Sequence, residues 1–227
     1  AGACTAASLA RRGWEVRVLD AGAAPAAGAS GLPTGLFAPH LSPDDNVFSR
    51  VSRSGVRAML QQSQALLRQG VDWNPCGVLE RRPDENLGLP ADWEQGPGAD
   101  WSRAASAETL RAAGLPPNTT ACWHARAGWV RPVRLVAALL AQPRIEWTPH
   151  SPVARLQQVG TAAGQPLWQA LDAQGIPLAE AECVVLAAGP ACNALLAPSG
   201  APGLPLQPVR GQLSWGLQDP LASALPP

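Results

Sequence analysis

An acidic residue and several small residues early in the chain have the types and spacing needed to bind a phosphorylated nucleotide. Asp20 ends a short run of alternating polar and apolar residues, and Gly2 lies eighteen positions before it. In a dinucleotide-binding βαβ unit, a glycine lets the backbone approach the pyrophosphate, and an acid after the second strand binds the ribose hydroxyls. Residues 28–31, Gly-Ala-Ser-Gly, add backbone amides and one hydroxyl, which are donors for anionic oxygens.

A helix and a strand must position these groups. Residues 3–12 are strong helix formers with arginines at the C-terminal end, and Gly13 ends the helix. Residues 15–20 alternate polar and apolar side chains, which predicts a strand. A small-residue helix followed by a strand that ends in an acid is the second half of a βαβ unit. Gly2 then fits the third glycine of a G-x-G-x-x-G fingerprint whose earlier part precedes residue 1.

Two alternatives stay open at this point. A helix followed by a strand is common in α/β proteins of many functions, so half a fingerprint does not by itself establish dinucleotide binding. Residues 23–35 could also be a flexible connection that codon bias has enriched in glycine and alanine. Lysine and tyrosine are both absent, and the chain contains 22 Gly and 24 Pro, as a GC-rich coding sequence would give.

The small-residue loop after Asp20 resembles the FAD-dependent oxidoreductases of the D-amino-acid oxidase and glycine oxidase family. Within that family, the chain is most similar to the oxidase modules of bifunctional bacterial enzymes that modify the wobble uridine of tRNA. Further landmarks appear in the order expected for these modules along nearly the whole chain. They are Gly28–Pro39, Asp72-Trp73, Cys76–Leu79, Gly128–Pro132 and Pro208–Gln212.

The resemblance implies an α/β fold in which an incomplete Rossmann-like FAD-binding domain is joined to a mixed-sheet α+β substrate domain. It assigns residues 1–42 and 150–204 to the FAD-binding domain, and residues 43–149 and 205–227 to the substrate domain. Family members begin before residue 1 and continue past residue 227. The chain also starts with Ala rather than Met. We therefore expect it to be part of a longer protein.

FAD is the cofactor that the resemblance implies, bound by residues spread along the chain. Residues 181–189 form an apolar run that predicts a buried parallel strand, whose small-residue end would approach the cofactor. The backbone of Val153 would meet the adenine. The implied cofactor-binding residues are Gly2, Asp20, Ala29, Ser30, Gly31, Gly35, Val153, Ala188 and Gly189.

The catalytic residues stay unknown at the level of sequence, because a flavin itself accepts the hydride in amine oxidation. A substrate carboxylate needs a cationic partner, usually an arginine that binds it through two hydrogen bonds. Arg210 is a weak candidate for that partner. We prefer the alternative that the arginine lies beyond residue 227.

By resemblance, the expected activity is FAD-dependent oxidation of a secondary amine. The substrate would be carboxymethylaminomethyl-uridine in tRNA, which would lose its carboxymethyl arm as glyoxylate. An upstream methyltransferase module, a monomeric state and a cytoplasmic location are also expected. Two alternatives remain: a small-molecule amino-acid oxidase of the glycine or sarcosine type, and a fragment that binds no flavin.

Composition excludes several other classes of protein. Seventeen basic and seventeen acidic residues cancel, so no net charge draws the chain to nucleic acid or to a membrane. No apolar stretch is long enough to span a membrane, and no leader peptide is evident. The five cysteines are scattered, which favours buried free thiols over a disulfide framework or a zinc site. The three histidines lack metal-ligand spacing, and we expect no metal.

The longest predicted helix spans residues 44–69 and has an apolar stripe opposite a row of arginines. Arg50, Arg53 and Arg57 have the spacing of one helix face. They could contact RNA phosphates, but the zero net charge favours a solvated face instead. The predicted apolar stripe consists of Val47, Val51, Val56, Met59, Leu60, Leu66 and Leu67.

Overall fold

The computed structural model describes residues 1–83, 85–162, 164–200, 202–209 and 211–214. The helices are α1 (Gly2–Ala10), α2 (Val47–Leu66), α3 (Ala107–Ala112), α4 (Pro132–Leu140) and α5 (Cys192–Leu196). The strands are β1 (Val16–Leu19), β2 (Gly35–Phe37), β3 (Trp73–Asn74), β4 (Val78–Arg81), β5 (Ser102–Ala104), β6 (Ala121–His124), β7 (Gly128–Val130), β8 (Ile145–Thr148), β9 (Arg155–Ala162), β10 (Gln165–Leu171) and β11 (Pro177–Ala181).

The chain forms two compact units. Unit 1 contains residues 1–32 and 132–212, and unit 2 is formed mainly by residues 33–131. These divisions differ from the predicted domain ends at residues 42 and 150. The difference arises because α4 packs against α1 and β8 pairs with β1, which assigns both elements to unit 1. That unit 1 is the FAD-binding domain stays a prediction.

Unit 1 is built on a parallel pair of strands covered by two helices. β1 pairs with β8 in a register that places Val16 opposite Ile145 and Leu19 opposite Thr148. The buried face of α1 consists of alanines, and small side chains let a helix approach its neighbours closely. Parallel strands need a connection that crosses over the sheet, and the long chain between β1 and β8 supplies it. The predicted α/β fold is confirmed.

A second sheet in unit 1 has the strand order β11-β10-β9 and is antiparallel throughout. β9 and β10 pair as consecutive antiparallel strands. Leu171 at the end of β10 is 2% exposed and contributes to the core of the unit.

The apolar run at residues 181–189 was expected to be a buried parallel strand, and that prediction is wrong. Residues 183–188 form no strand, and the side chain of Val185 is half exposed. A parallel strand needs a neighbour whose backbone groups face it. In the described part of the chain, β1 pairs only with β8, and no strand lies beside this run.

Unit 2 contains two small antiparallel sheets, with strand orders β2-β7-β3 and β4-β6-β5. Strands β6 and β7 are consecutive in the chain, but each belongs to a different sheet. Gly77 and Gly128 mark this separation. A Cβ at Gly128 would overlap the carbonyl oxygen of Asn74, and one at Gly77 would overlap the ring of Trp123. These close approaches admit only glycine.

Helix α2 begins at an asparagine cap and buries an unexpected face. The side chain of Asn46 accepts a hydrogen bond from the amide of Ser49 at 3.0 Å. Ser49, Val56 and Ser63 are its buried residues. Val47 and Val51 are 65% and 60% exposed, so the predicted apolar stripe is wrong at its N-terminal end. Ser49 can be buried because its hydroxyl hydrogen-bonds to that of Ser42 at 2.8 Å.

All five cysteines are free thiols, as expected, but only two are buried. Cys122 and Cys192 are buried, whereas Cys4, Cys76 and Cys183 are exposed. Within the described ranges, no helix combines the length and the apolar character needed to cross a bilayer.

Candidate functional site

Helix α1 begins without a side-chain cap. Ala1 occupies the capping position, and its side chain has no group that could accept a hydrogen bond from the first amides of the helix. Such amides and the positive end of the helix dipole favour an anionic ligand. A Cβ at Gly2 would lie 3.3 Å from the Cβ of Ala187, a tight contact that glycine avoids. Gly2 therefore lies beside the segment that leads into Ala188 and Gly189.

Asp20 follows β1 directly and organises the turn after the strand. Its amide donates to the carbonyl of Thr148 at 3.0 Å, which extends the pairing of β1 with β8. Its Oδ1 accepts a hydrogen bond from the amide of Gly22 at 2.8 Å. The carboxylate is thus held in one orientation, and its second oxygen can accept further hydrogen bonds.

A buried hydroxyl lies close to Asp20 in the fold. Within the described residues, Oγ1 of Thr148 is buried without a hydrogen-bond partner. A buried polar atom in this state is costly unless some other group satisfies it. Because this atom is enclosed, a ligand at Asp20 would not reach it. The second carboxylate oxygen of Asp20, at the end of β1, is the acceptor that fits a ribose hydroxyl.

The loop after Asp20 is folded on itself. The amide of Gly31 donates to the carbonyl of Gly28 at 2.9 Å, and Ala26 adopts a positive φ of 64°. A Cβ at Gly31 would lie 3.0 Å from the carbonyl oxygen of Ala26. Ala29 and Ser30 are exposed at the tip of this turn. The loop is held by its own contacts and presents Ala29 and Ser30 outward.

Val153 is connected to the same region through the preceding residues. The amide of Ser151 donates to the carbonyl of Asp20 at 2.8 Å, and the amide of His150 donates to the carbonyl of Gly22 at 3.2 Å. Val153 itself is half-buried. The segment before β9 and the loop after β1 therefore form one hydrogen-bonded assembly.

Ala188 and Gly189 lead into a short helical segment. Ala188 precedes a 3-10 turn, Gly189–Ala191, that continues into α5. Gly189 adopts a positive φ of 58°, which favours glycine. Both residues are exposed.

Two of the predicted site residues, Gly35 and Arg210, are not among the unit 1 residues described above. Gly35 belongs to unit 2, where it pairs with Val130 across β2 and β7. Arg210 lies outside the described residues. The other eight predicted cofactor-binding residues all belong to unit 1.

His40 is exposed in unit 2. Its ring contacts that of Phe48, with centroids 4.7 Å apart. No group of three or more potential metal ligands was found in the described ranges.

Sequence reasoning missed a buried polar network around His124 in unit 2. Nδ1 of His124 lies 2.8 Å from Oγ of Ser102, and Nε2 lies 3.0 Å from a carboxylate oxygen of Glu80. Arg82 also contacts this carboxylate, at 3.0 Å. Burial lowers the pKa of His124, although Glu80 opposes the effect.

The tautomer of His124 follows from its partners. A carboxylate only accepts, so Nε2 carries the hydrogen, and Nδ1 accepts from the hydroxyl of Ser102. Ser102 is completely buried, so no substrate can reach it. The network stabilises the β4-β6-β5 sheet and is not a nucleophilic triad. Neither β4 (Val-Leu-Glu-Arg) nor β6 (Ala-Cys-Trp-His) alternates polar and apolar side chains, so no pattern in the sequence marks these inward positions.

Comparison with known proteins gives a family match over almost the entire chain. Residues 1–223 match the DAO family, described as FAD dependent oxidoreductase. The match includes α1, Asp20, the loop after it and both compact units.

Relatives with curated descriptions are similar over the whole chain. This chain is 60% identical over 231 residues to the tRNA 5-methylaminomethyl-2-thiouridine biosynthesis bifunctional protein MnmC of Verminephrobacter eiseniae. It is 58% identical over 236 residues to the protein of the same name from Delftia acidovorans. Each alignment covers 100% of this chain but only 36% and 37% of the relative. The chain thus spans little more than a third of their length.

Solved structures show the same fold at low identity. Glycine oxidase from Geobacillus kaustophilus matches with a TM-score of 0.64 at 19% identity, covering 88% of this chain and 55% of that one. NikD, an amino acid oxidase of nikkomycin biosynthesis, matches with a TM-score of 0.61 at 20% identity, covering 88% and 52%. The family match over residues 1–223 shows that the chain belongs to the DAO family of FAD-dependent oxidoreductases.

Proposed function

We propose that the native protein oxidises the secondary amine of carboxymethylaminomethyl-uridine at the tRNA wobble position and releases the carboxymethyl arm as glyoxylate. The observation that supports this most strongly is the 60% identity to a relative named for biosynthesis of 5-methylaminomethyl-2-thiouridine in tRNA. When bound, FAD supplies the two-electron acceptor for the carbon beside the amine. The residues of this chain bind and orient that cofactor.

Asp20 and the start of α1 would hold the ribose and the pyrophosphate of FAD. The carboxylate of Asp20 is oriented by Gly22 and would accept from the ribose hydroxyls through its second oxygen. The uncapped amides at Gly2 would donate to the pyrophosphate. The half-buried Val153 would lie against the adenine, since its segment is hydrogen-bonded to the Asp20 turn.

The exposed small residues would complete the cofactor site. Ala29, Ser30 and Gly31 form a folded turn whose amides and hydroxyl would donate to phosphate oxygens. Ala188 and Gly189 would approach the flavin with their backbone, because neither has a bulky side chain. Gly35 completes the proposed set of cofactor-binding residues on the resemblance alone.

The substrate carboxylate needs a separate partner. Arg210 remains a candidate for it, and an arginine outside this chain is the alternative we prefer. A methyltransferase module elsewhere in the native protein agrees with the bifunctional names of the relatives. A monomer located in the cytoplasm, where tRNA is modified, completes the proposal.

The experiment is an anaerobic titration of the full-length native protein with tRNA that carries the carboxymethylaminomethyl group. We expect the visible flavin absorption to bleach in proportion to the modified tRNA, with the nucleoside mass falling by one carboxymethyl group. Matched tRNA without the modification is the control and should leave the flavin oxidised. Bleaching by free glycine or sarcosine but not by tRNA would instead support a small-molecule oxidase. A protein without flavin would contradict the cofactor assignment.

A further inference from the structure

A row of three arginines gives α2 a positive charge. Arg50, Arg53 and Arg57 lie along one side of α2, and the helix itself contains no acidic residue. The chain as a whole is neutral, so the positive charge of α2 is local. Whether Arg53 or Arg57 can bind a ligand depends on its partners in unit 2.

Arg53 is fully engaged within the fold. Its guanidinium forms two hydrogen bonds to the carboxylate of Asp45, at 2.7 and 2.9 Å. It also lies over the ring of Trp93, 5.0 Å from the centroid. This pairing holds the pKa of Asp45 below its ordinary value. Arg53 thus fixes the start of α2 and is not available to a ligand.

Arg57 has a different environment that it shares with an arginine from another part of unit 2. The guanidinium carbons of Arg57 and Arg126 both lie over the ring of Trp101, 4.7 and 4.9 Å from its centroid. The two cations are therefore no more than about 10 Å apart, a distance comparable to the Debye length at 0.1 M salt. Trp101 is only 6% exposed, so its ring is a fixed support.

Acidic residues near this pair do not neutralise it. The only carboxylate that contacts Arg126 in the described ranges is that of Asp100, at 3.8 Å, and 71% of its side chain is exposed. No carboxylate contacts Arg57 in the same ranges. Glu94 lies on the neighbouring turn, but it accepts a hydrogen bond from the amide of Ala104. Two guanidiniums thus share one weak and solvated counter-charge.

This arrangement is suited to a phosphate ligand. Guanidiniums bind phosphate through paired hydrogen bonds, and the donors of Arg57 and Arg126 remain exposed at the surface. Stacking on Trp101 fixes the two side chains in advance, which reduces the entropy lost when they bind. Because the ring itself is buried, it cannot stack on a nucleobase. The contact would therefore be to backbone phosphates, without regard to sequence.

We propose that Arg57 and Arg126, supported by Trp101, form a contact surface for the phosphodiester backbone of the RNA substrate. This inference rests on the proposed function, which supplies tRNA as the polyanion. It assigns the contact to unit 2, whereas the proposed cofactor-binding residues lie mainly in unit 1.

The test measures tRNA binding by the full-length native protein over a range of salt concentrations. The double variant Arg57→Gln, Arg126→Gln removes both cations. Each phosphate contact contributes about 0.7–0.9 to the slope of log affinity against log salt, so the slope should fall by about 1.4–1.8. Arg111→Gln is the matched control, because it removes one exposed cation at the end of α3 in the same unit. It should leave the slope unchanged.

A second double variant separates charge from folding. Arg57→Lys, Arg126→Lys keeps both charges and loses the planar donors, so it should keep the wild-type slope while binding more weakly. The flavin spectrum and thermal unfolding of each variant show whether the protein is intact.

The outcomes distinguish this surface from the proposed function. If the wild-type protein binds no tRNA, both the proposed substrate and the proposed contact surface are wrong. If the wild type binds tRNA and the Gln double variant keeps its slope, only the surface is wrong. If the Gln variant loses flavin while the Lys variant keeps it, the arginines serve the flavoprotein fold, and the surface is again wrong.

Discussion

Replacing Asp20 by asparagine tests the cofactor assignment without breaking the turn that Asp20 organises. Replacement by alanine would confound the two, because Oδ1 already accepts from the amide of Gly22 at 2.8 Å. Asparagine keeps one acceptor oxygen for Gly22. The other side-chain atom becomes an NH₂ group, which cannot accept from a ribose hydroxyl.

The expected loss in FAD affinity follows from the hydrogen bond to the charged oxygen. Hydrogen bonds to charged groups contribute about 1.5–3 kcal/mol, so Asp20→Asn should weaken FAD binding roughly 10- to 150-fold. Reconstitution of the apoprotein with FAD, followed by flavin fluorescence, measures the dissociation constant. The melting temperature of the apoprotein should change little.

Asp172→Asn supplies the matched control for this measurement. Asp172 accepts from the amides of Gln174 and Ile176 through Oδ1 at 2.9 and 2.8 Å, in a turn of the same unit. The control removes the same charge and keeps the same kind of acceptor. Equal FAD affinity in Asp20→Asn and Asp172→Asn would refute the ribose assignment for Asp20.

Three further predictions concern backbone fit and pH. Gly31→Val should give a folded but colourless protein, because its Cβ would lie 3.0 Å from the carbonyl oxygen of Ala26 and distort the loop. The absorption spectrum of the purified variant measures its flavin content. Gly128→Ala should lower the free energy of unfolding by several kcal/mol in denaturant titrations, because its Cβ would overlap the carbonyl of Asn74. Burial lowers the pKa of His124, so His124 binds a proton more readily in the unfolded chain than in the folded one. The free energy of unfolding should therefore decline as the pH falls below about 6.5, and His124→Gln should reduce that decline.

Matched control variants accompany the two glycine predictions. Gly96→Val places the same side chain in open space in unit 2, outside the proposed cofactor-binding residues, and it should keep the flavin. Gly55→Ala lies in open space within α2, where it should stabilise the protein by about 0.5–1 kcal/mol. A yellow Gly31→Val protein, a stable Gly128→Ala protein, or an unchanged pH profile in His124→Gln would each contradict its prediction.

Local patterns in the sequence predicted the first part of unit 1 well. The helix at α1, the strand at β1 and the position of Asp20 just after it all depend on nearby residues. Propensity, a terminating glycine and strand alternation determine them within twenty positions.

Features that depend on distant partners were predicted poorly. The run at residues 183–188 has strand-like composition, but a strand also needs a neighbour, which composition does not specify. The outward Val47 and the inward Ser49 of α2 reverse the usual rule, because Ser42 supplies the hydrogen bond that a buried serine needs. The approach of Gly128 to Asn74 separates β6 from β7, and no local signal marks that contact.

The different exposure of two cysteines in unit 2 allows its local opening to be measured by chemical modification. Burial raises the pKa of the Cys122 thiol to about 11, so at neutral pH it is neither accessible nor ionised. Cys122 lies on β6, two residues before His124, whereas Cys76 in the same unit is exposed. An alkylating reagent would modify Cys76 at once and Cys122 only when the β4-β6-β5 sheet opens. The ratio of the two modification rates thus measures the free energy of that opening in the native protein.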